Sequence, residues 1–425
     1  MIGRAQATAV PGALAKVLVN NSLDNTITVS DCGTKKGEDF DIEDIECLHR
    51  LLNKPVSGLP RDTIITRTIL DELKKKGVKK INLRSVNTCE AESGVCSKCF
   101  GANIYGQLKP VNSQIGVEAA QTLSEPLTQA AMNAFHTGGL ATINDLQREQ
   151  ESNLPSGIQA VQQAFYLSNN RIGAGIMAVE NGKVRSITST SLGEKVIKVG
   201  EKEYKVPNDR KVIVKIGESI KAGDMLTDGN KNMNTLFEVM GNDVDKFRPH
   251  LAKDLRESYG SAGKQSQRMF EVMARSMTNT AVVDNSNGNC GMVDGDVITL
   301  EKARFINKNK EQKIQTSYLL EGEKLSRPVP LLNMNKGRVL KREDIENLKF
   351  RNIPSVYIEA SSIKFTPVIK GVLTAPHKKY EDPLNRMNFN RIPQSINEAA
   401  SYGMSTNFEG VSVIPRFSSG IGFSN

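Results

Sequence analysis

Four cysteines constrain this chain more than any other feature. Cys32 stands in DCGT; after fifty-six intervening residues Cys89, Cys96 and Cys99 follow in CEAESGVCSKCFG. The C-x6-C-x2-C run brings three thiolates into one compact knuckle, and Gly94 and Gly101 let the backbone turn around whatever they hold. The remote Cys32 closes a tetrahedral set, the arrangement structural Zn²⁺ favours: four soft ligands and no open position. Because the binding free energy of such a site is also folding free energy, residues 33–88 must form a loop whose ends meet at the metal. Of the six cysteines, Cys47 lies in the helical-looking IEDIECLHRLL and reads as a buried thiol, with a Cys47–His49 ligand pair as the alternative. Cys290 falls in a loop and is not expected to ligate.

With 425 residues the chain exceeds one ordinary core, so several modules are expected. The formal charge of +9, from 56 basic and 47 acidic side chains, is compatible with a polyanionic partner without requiring one. Aromatic residues make up 5% and tryptophan is absent, which argues against large stacking platforms for single strands. There is no apolar run of about 18 residues and no signal-peptide pattern at the N-terminus, so a cytoplasmic protein without a membrane partner is expected.

Residues 114–139, QIGVEAAQTLSEPLTQAAMNAFHTGG, read as a helix stopped by Thr137, Gly138 and Gly139. Gln129, Met132, Asn133 and His136 fall at i, i+3, i+4 and i+7 and share one face. An amide, a thioether, a second amide and an imidazole do not make a core face. The bland alternative is an amphipathic helix with a polar solvent side.

The run AAQTLSEPLTQAAMNAFHTGG resembles the trigger-loop segment of the β′ subunit, the largest catalytic subunit of bacterial multisubunit DNA-dependent RNA polymerases. The segment leading through VLVNNSLDNTITVSDCGT to Cys32 resembles the distal half of the bridge helix and its approach to the zinc site. The chain would then begin inside that helix. This resemblance is specific in 26–34, 86–101 and 114–139 and weak elsewhere. It implies that Met132 packs on the incoming base, Gln129 approaches the ribose and His136 reaches the triphosphate, with Asn133 standing where the bacterial pattern has arginine. It also implies structural Zn²⁺ on Cys32, Cys89, Cys96 and Cys99, and active-site Mg²⁺ held by another chain, because no Asp-rich loop of the NADFDGD type occurs in the sequence. Split β′ subunits of this length are a feature of giant-phage polymerases. The expected partners are therefore the β′ N-terminal fragment, β fragments, a promoter-specificity factor, template DNA, nascent RNA and nucleoside triphosphates. The expected setting is the cytoplasm of an infected bacterium, with a virion as a second possibility.

The fold class expected is α+β in several modules: 1–24 as distal bridge helix, 25–111 as zinc module, and 112–168 as trigger-loop hairpin with the following helix. Next come 169–240 as a β-rich barrel or sandwich, 241–365 as a helical and β segment, and 366–425 as a closing segment that includes Arg416, Ser418, Gly420 and Gly422. Within this order, Gly12–Asn20 reads as a short helix with Leu14, Val17 and Leu18 on one side, broken or kinked at Pro11-Gly12. DELKKKGVKKINLRS reads as helix, glycine stop and strand, with its lysines solvated. Residues 245–280 read as two helices, the second with a core stripe of Met269, Val272, Met273 and Met277. Residues 305–365 match no recognisable pattern and read as a family-specific insertion. The alternative to a polymerase subunit is a non-catalytic, zinc-containing nucleic-acid-binding protein or polymerase inhibitor that mimics β′.

Overall fold

The structure, a computed structural model, describes residues 2–136, 158–169, 171, 173–189, 194–260, 264–289 and 292–372; the side chains of 2–11, 129–136 and 158 lie outside that description. The chain forms two compact units, one of residues 1–278 with 369–375 and one of 279–368 with 376–425. Helices and small sheets alternate in both, a mixed α+β architecture.

The first unit opens with α1 (Ile2–Ser22). The helix is continuous through Pro11 and Gly12, which corrects the expectation of a break there. Proline removes one rung of the hydrogen-bond ladder and glycine weakens propensity by about 1 kcal/mol. A long helix anchored by the fully buried Leu14 and Leu18 tolerates both. Val17 is only half-buried.

After α1 come β1 (Ile27–Val29), β2 (Glu38–Asp41), α2 (Arg67–Lys75), β3 (Lys80–Leu83), β4 (Val95–Cys96) and the single-turn α3 (Ser97–Phe100). Strands β2 and β3 pair antiparallel with Phe40 opposite Ile81, and β1 runs parallel to β4 with Ile27 opposite Val95. Phe40, Leu52, Ile65, Leu70, Leu73 and Leu83 gather into a core beneath α2. The Thr66 hydroxyl caps α2 by accepting from the Ile69 amide. Lys75, Lys76, Lys79 and Lys80 are solvated, as their run suggests. The IEDIECLHRLL stretch is not a helix beyond one 3₁₀ turn, Ile45–Cys47. His49 adopts a left-handed φ of 64°, which ends any helical course there.

Helix α4 (Ile115–His136) packs along α1. At their closest approach the Ser22 hydroxyl donates to the Leu18 and Gly116 carbonyls at 2.8 and 2.9 Å, and the Gly116 amide donates to the Asn25 carbonyl at 2.8 Å. A Cβ on Gly116 would lie 1.8 Å from the Ser22 carbonyl oxygen, so only glycine fits. Helix α5 (Ile158–Phe165) follows, and then β5 (Gly182–Ser189), β6 (Lys195–Val199), β7 (Lys202–Val206) and β8 (Ser219–Ile220). Among the described residues these strands form one four-stranded antiparallel sheet in the order β7-β6-β5-β8, with Val184, Ile197, Val199 and Val206 in its core. Helices α6 (Met233–Val239), α7 (Val244–Ser258) and α8 (Gln267–Thr278) complete the unit. The expected stripe on α8 is buried at Val272, Met273 and Met277, and half-buried at Met269.

In the second unit β9 (Thr280–Asn285) lies between β10 (Val297–Ile298) and, from the far end of the segment, β13 (Lys364–Val368). Helix α9 (Leu300–Asn309) leads to β11 (Glu311–Gln315), which pairs antiparallel with β12 (Ser355–Glu359) after α10 (Arg342–Phe350). Ile314, Leu325, Leu340, Leu348, Val356 and Ile358 form a core of their own. The stretch without recognisable pattern is thus an ordered α+β element. No helix among the described residues is long and apolar enough to cross a membrane.

The Ser22–Gly116 contact yields a direct test. Gly116→Ala forces the α1 and α4 backbones apart, and urea unfolding of the purified chain should show a loss of about 1–3 kcal/mol. An unchanged midpoint would contradict the close approach.

Candidate functional site

The four cysteines meet. Cys32 follows β1, Cys89 ends the loop after β3, Cys96 closes β4 and caps α3, and Cys99 sits within α3. Their sulfurs all lie within 4.8 Å of one another, and the Cys32 and Cys99 sulfurs are 3.7 Å apart. With Zn–S bonds of about 2.3 Å, the edge of a tetrahedral Cys₄ site is about 3.8 Å, so the cage has the size zinc requires. The backbone is shaped to it. The Cys96 amide donates to the Cys89 sulfur and the Cys99 amide to the Cys96 sulfur, both at 3.3 Å, the contacts a thiolate accepts. Gly94 (φ 61°) and Gly101 (φ 91°) make the turns expected of them, and a Cβ on Gly94 would lie 2.3 Å from the Thr26 carbonyl oxygen. Cys47 is buried away from this cage, with its thiol donating to the Asp41 carbonyl at 3.2 Å; burial pushes that thiol up to about 12. Among the described residues the Cys47–His49 alternative forms no ligand group.

The feature that sequence reading missed is Arg84. Its buried guanidinium places Nη2 3.6 Å from the Cys32, Cys96 and Cys99 sulfurs, while Asp31 (2.6 Å) and Asp62 (3.0 Å) hold it from the other side. Lys98 bridges the same two carboxylates at 2.8 and 2.7 Å. Burial opposes the Arg84 cation, but Asp31, Cys99 and Asp62 outweigh it and hold the group protonated. Burial likewise works against Asp31 as an anion, and the bonds from Arg84 and Lys98 hold its carboxyl well below the usual range. Four thiolates on Zn²⁺ carry a net charge of −2, and a buried arginine beside them compensates part of it. The only hint in the sequence is an arginine at the end of an apolar strand, INLR.

A second buried network fastens α8 to this module. Arg50 and Glu271 form a bidentate pair at 2.5 and 3.1 Å with both side chains excluded from water. Glu271 also accepts from the Ser85 hydroxyl at 3.0 Å and the Val86 amide at 3.3 Å. On the same helix Arg275 donates to the Val86 and Cys89 carbonyls at 3.0 and 3.1 Å, and Arg268 to the Phe100 and Ala102 carbonyls at 3.2 and 2.9 Å. Arg268, Glu271 and Arg275 recur at i, i+3 and i+7, so one face of α8 is charged, half-buried at Arg268 and fully buried at Glu271 and Arg275. Periodicity reads such a face as solvated.

Gln129, Met132, Asn133 and His136 occupy the last two turns of α4, in the register that places them on one face of the helix. Their side chains lie outside the described residues, as do Thr137, Gly138, Gly139 and the rest of 137–157. Cys290, Arg416, Ser418, Gly420 and Gly422 lie outside them too.

Helices α1 and α4 pack on one another and on α8, which is fastened to the module carrying the four cysteines. Residues 1–314 match the family described as RNA polymerase Rpb1, domain 5, and the chain belongs to that family. The chain is 30% identical over 336 residues to the DNA-directed RNA polymerase subunit beta′ of Malacoplasma penetrans, covering 72% of this chain and 25% of that one. With the subunit beta′ of Acetivibrio thermocellus it shares 29% over 341 residues (74% and 28%), and with that of Clostridium tetani 28% over 379 residues (83% and 31%). It corresponds to a C-terminal part of β′ and spans a quarter to a third of the length of these relatives.

Elemental analysis of the purified chain should find one zinc, lost in Cys89→Ser and retained in Cys47→Ser; full zinc in Cys89→Ser would remove the assignment. Glu271→Gln leaves the Arg50 cation buried with its partner's negative charge gone and should cost about 3–5 kcal/mol by denaturant unfolding, with zinc retained.

Proposed function

We infer that this chain works as the C-terminal part of the β′-type subunit of a multisubunit DNA-directed RNA polymerase. In that assembly it acts in nucleotide addition alongside template DNA, nascent RNA, nucleoside triphosphates, the other polymerase subunits and a promoter-specificity factor. The observation that carries the reading is the packing of α4 on α1 through the Ser22–Gly116 contact, inside a chain whose family and relatives are those of β′. In this reading α1 is the distal bridge helix and α4 the first arm of the trigger loop. The four cysteines hold Zn²⁺ as a structural staple of the module to which α8 is fastened.

The chemistry of the α4 face suits a triphosphate substrate. A thioether at 132 is a soft, polarisable surface that accepts any base. An imidazole at 136, with a reference pKa near 6.5, carries positive charge beside phosphates, where it stabilises developing charge or gives a proton to the leaving pyrophosphate. Gln129 offers an amide to the ribose. Asn133 brings no charge, so a phosphate contact of the arginine type comes from another residue. Two-metal nucleotidyl transfer needs clustered carboxylates to hold Mg²⁺. We assign that loop to sequence outside residues 1–425, which makes the isolated chain inactive.

The test is kinetic. In the assembled polymerase, His136→Ala should slow single-nucleotide addition by about 10²-fold without altering subunit stoichiometry or zinc content. Wild-type elongation in that variant, or recovery of the tagged chain with no transcribing complex, would overturn the reading and favour a non-catalytic mimic.

A further inference from the structure

Helix α4 carries Pro126 ten residues before His136. A proline there has no N–H for the Thr122 carbonyl, and its ring presses on that carbonyl, so the turn from 122 to 126 is the weak point of the helix. Beyond it the helix reaches about 15 Å to His136 at 1.5 Å per residue. A tilt of about 10° at Pro126 would therefore move the end of the helix by roughly 2.6 Å. Where reacting groups must be placed to within about 1 Å, that tilt decides the rate.

One side chain from elsewhere in the fold grips this turn. Tyr259, the residue that follows α7, is buried and donates its hydroxyl to the Leu123 carbonyl at 2.9 Å. Leu123 lies one turn before the proline. The ring of Tyr259 stands edge-on to Phe270 of α8 at 5.3 Å and to Phe165 at 6.4 Å. Phe165 is the last residue of α5, the next helix after α4 among the described residues, and its carbonyl accepts from the Val372 amide at 2.8 Å. Tyr259 thus touches α4 through its oxygen and α5 and α8 through its ring. Burial pushes the phenol well above its ordinary pKa, so it stays a donor.

We propose that Tyr259 is a positioning residue for nucleotide addition: its hydroxyl locks the proline-weakened turn of α4 and so sets where Gln129, Met132, Asn133 and His136 stand. This rests on the reading of α4 given above. It assigns the aim of the helix to a side chain more than a hundred residues further along the chain.

The test is a double-mutant cycle in the assembled enzyme. Tyr259→Phe keeps the ring contacts with Phe165 and Phe270 and removes only the hydrogen bond. It should slow matched nucleotide addition by about fivefold, the worth of one neutral hydrogen bond, with zinc content and subunit stoichiometry unchanged. Because the hydroxyl aims His136 together with Gln129, Met132 and Asn133, Tyr259→Phe should slow the His136→Ala enzyme, but by less than it slows the wild type. Equal slowing in both backgrounds means a generally loosened fold and overturns the proposal, as does a wild-type rate in Tyr259→Phe. A wild-type rate in His136→Ala identifies failure of the α4 reading itself and takes this inference with it, whereas a slow His136→Ala beside an unaffected Tyr259→Phe sinks this inference alone.

Discussion

The arrangement of the first unit depends on a charge balance around four sulfurs. A Cys₄ zinc site contributes apparent binding free energy of about 10–16 kcal/mol, comparable to the whole stability of a domain. That energy is available only if the thiolates are held together and their net negative charge is answered. Arg84 answers it from a fully buried position, and Asp31, Asp62 and Lys98 answer Arg84 in turn. The path from β1 to α3 is fixed by this set of contacts. Everything docked on the module, including the foot of α4, inherits its position.

The docking itself is unusually polar for a buried interface. Arg50, Arg268, Glu271 and Arg275 leave no charge without a hydrogen-bonding partner, and five of those partners are backbone groups near the metal knuckle. Apolar contacts slide at little cost; bidentate and carbonyl-directed bonds do not. A helix fastened in this way holds its register against the module.

How much of this could be read from the chain follows from the range of each interaction. The cysteine spacing and the helix that ends at His136 were legible because each is written in neighbouring residues or in a fixed spacing. Arg84, Glu271 and Tyr259 were not, because a charged or hydroxylated side chain looks the same in sequence whether it meets water or a partner two hundred residues away. Pro11-Gly12 misled for the opposite reason: local propensity argued for a break, and the burial of Leu14 and Leu18 on a long helix outweighed it. Residues 305–365 lack a familiar pattern but alternate apolar positions well enough to close a core around Leu325 and Leu348.

The Arg50–Glu271 pair also bears on the order of events at the ribosome. The last of the four clustered cysteines is residue 99, so a metal-binding knuckle can close long before α8 is made. At about 5–20 residues per second, Glu271 and Arg275 arrive roughly 9 to 35 seconds later. During that interval Arg50 and the Val86 and Cys89 carbonyls stay hydrated, and the metal-bound half waits with an open polar socket. Docking of α8 would expel that water and close the socket, so assembly in two stages is the expected consequence, the first set by metal supply and the second by translation.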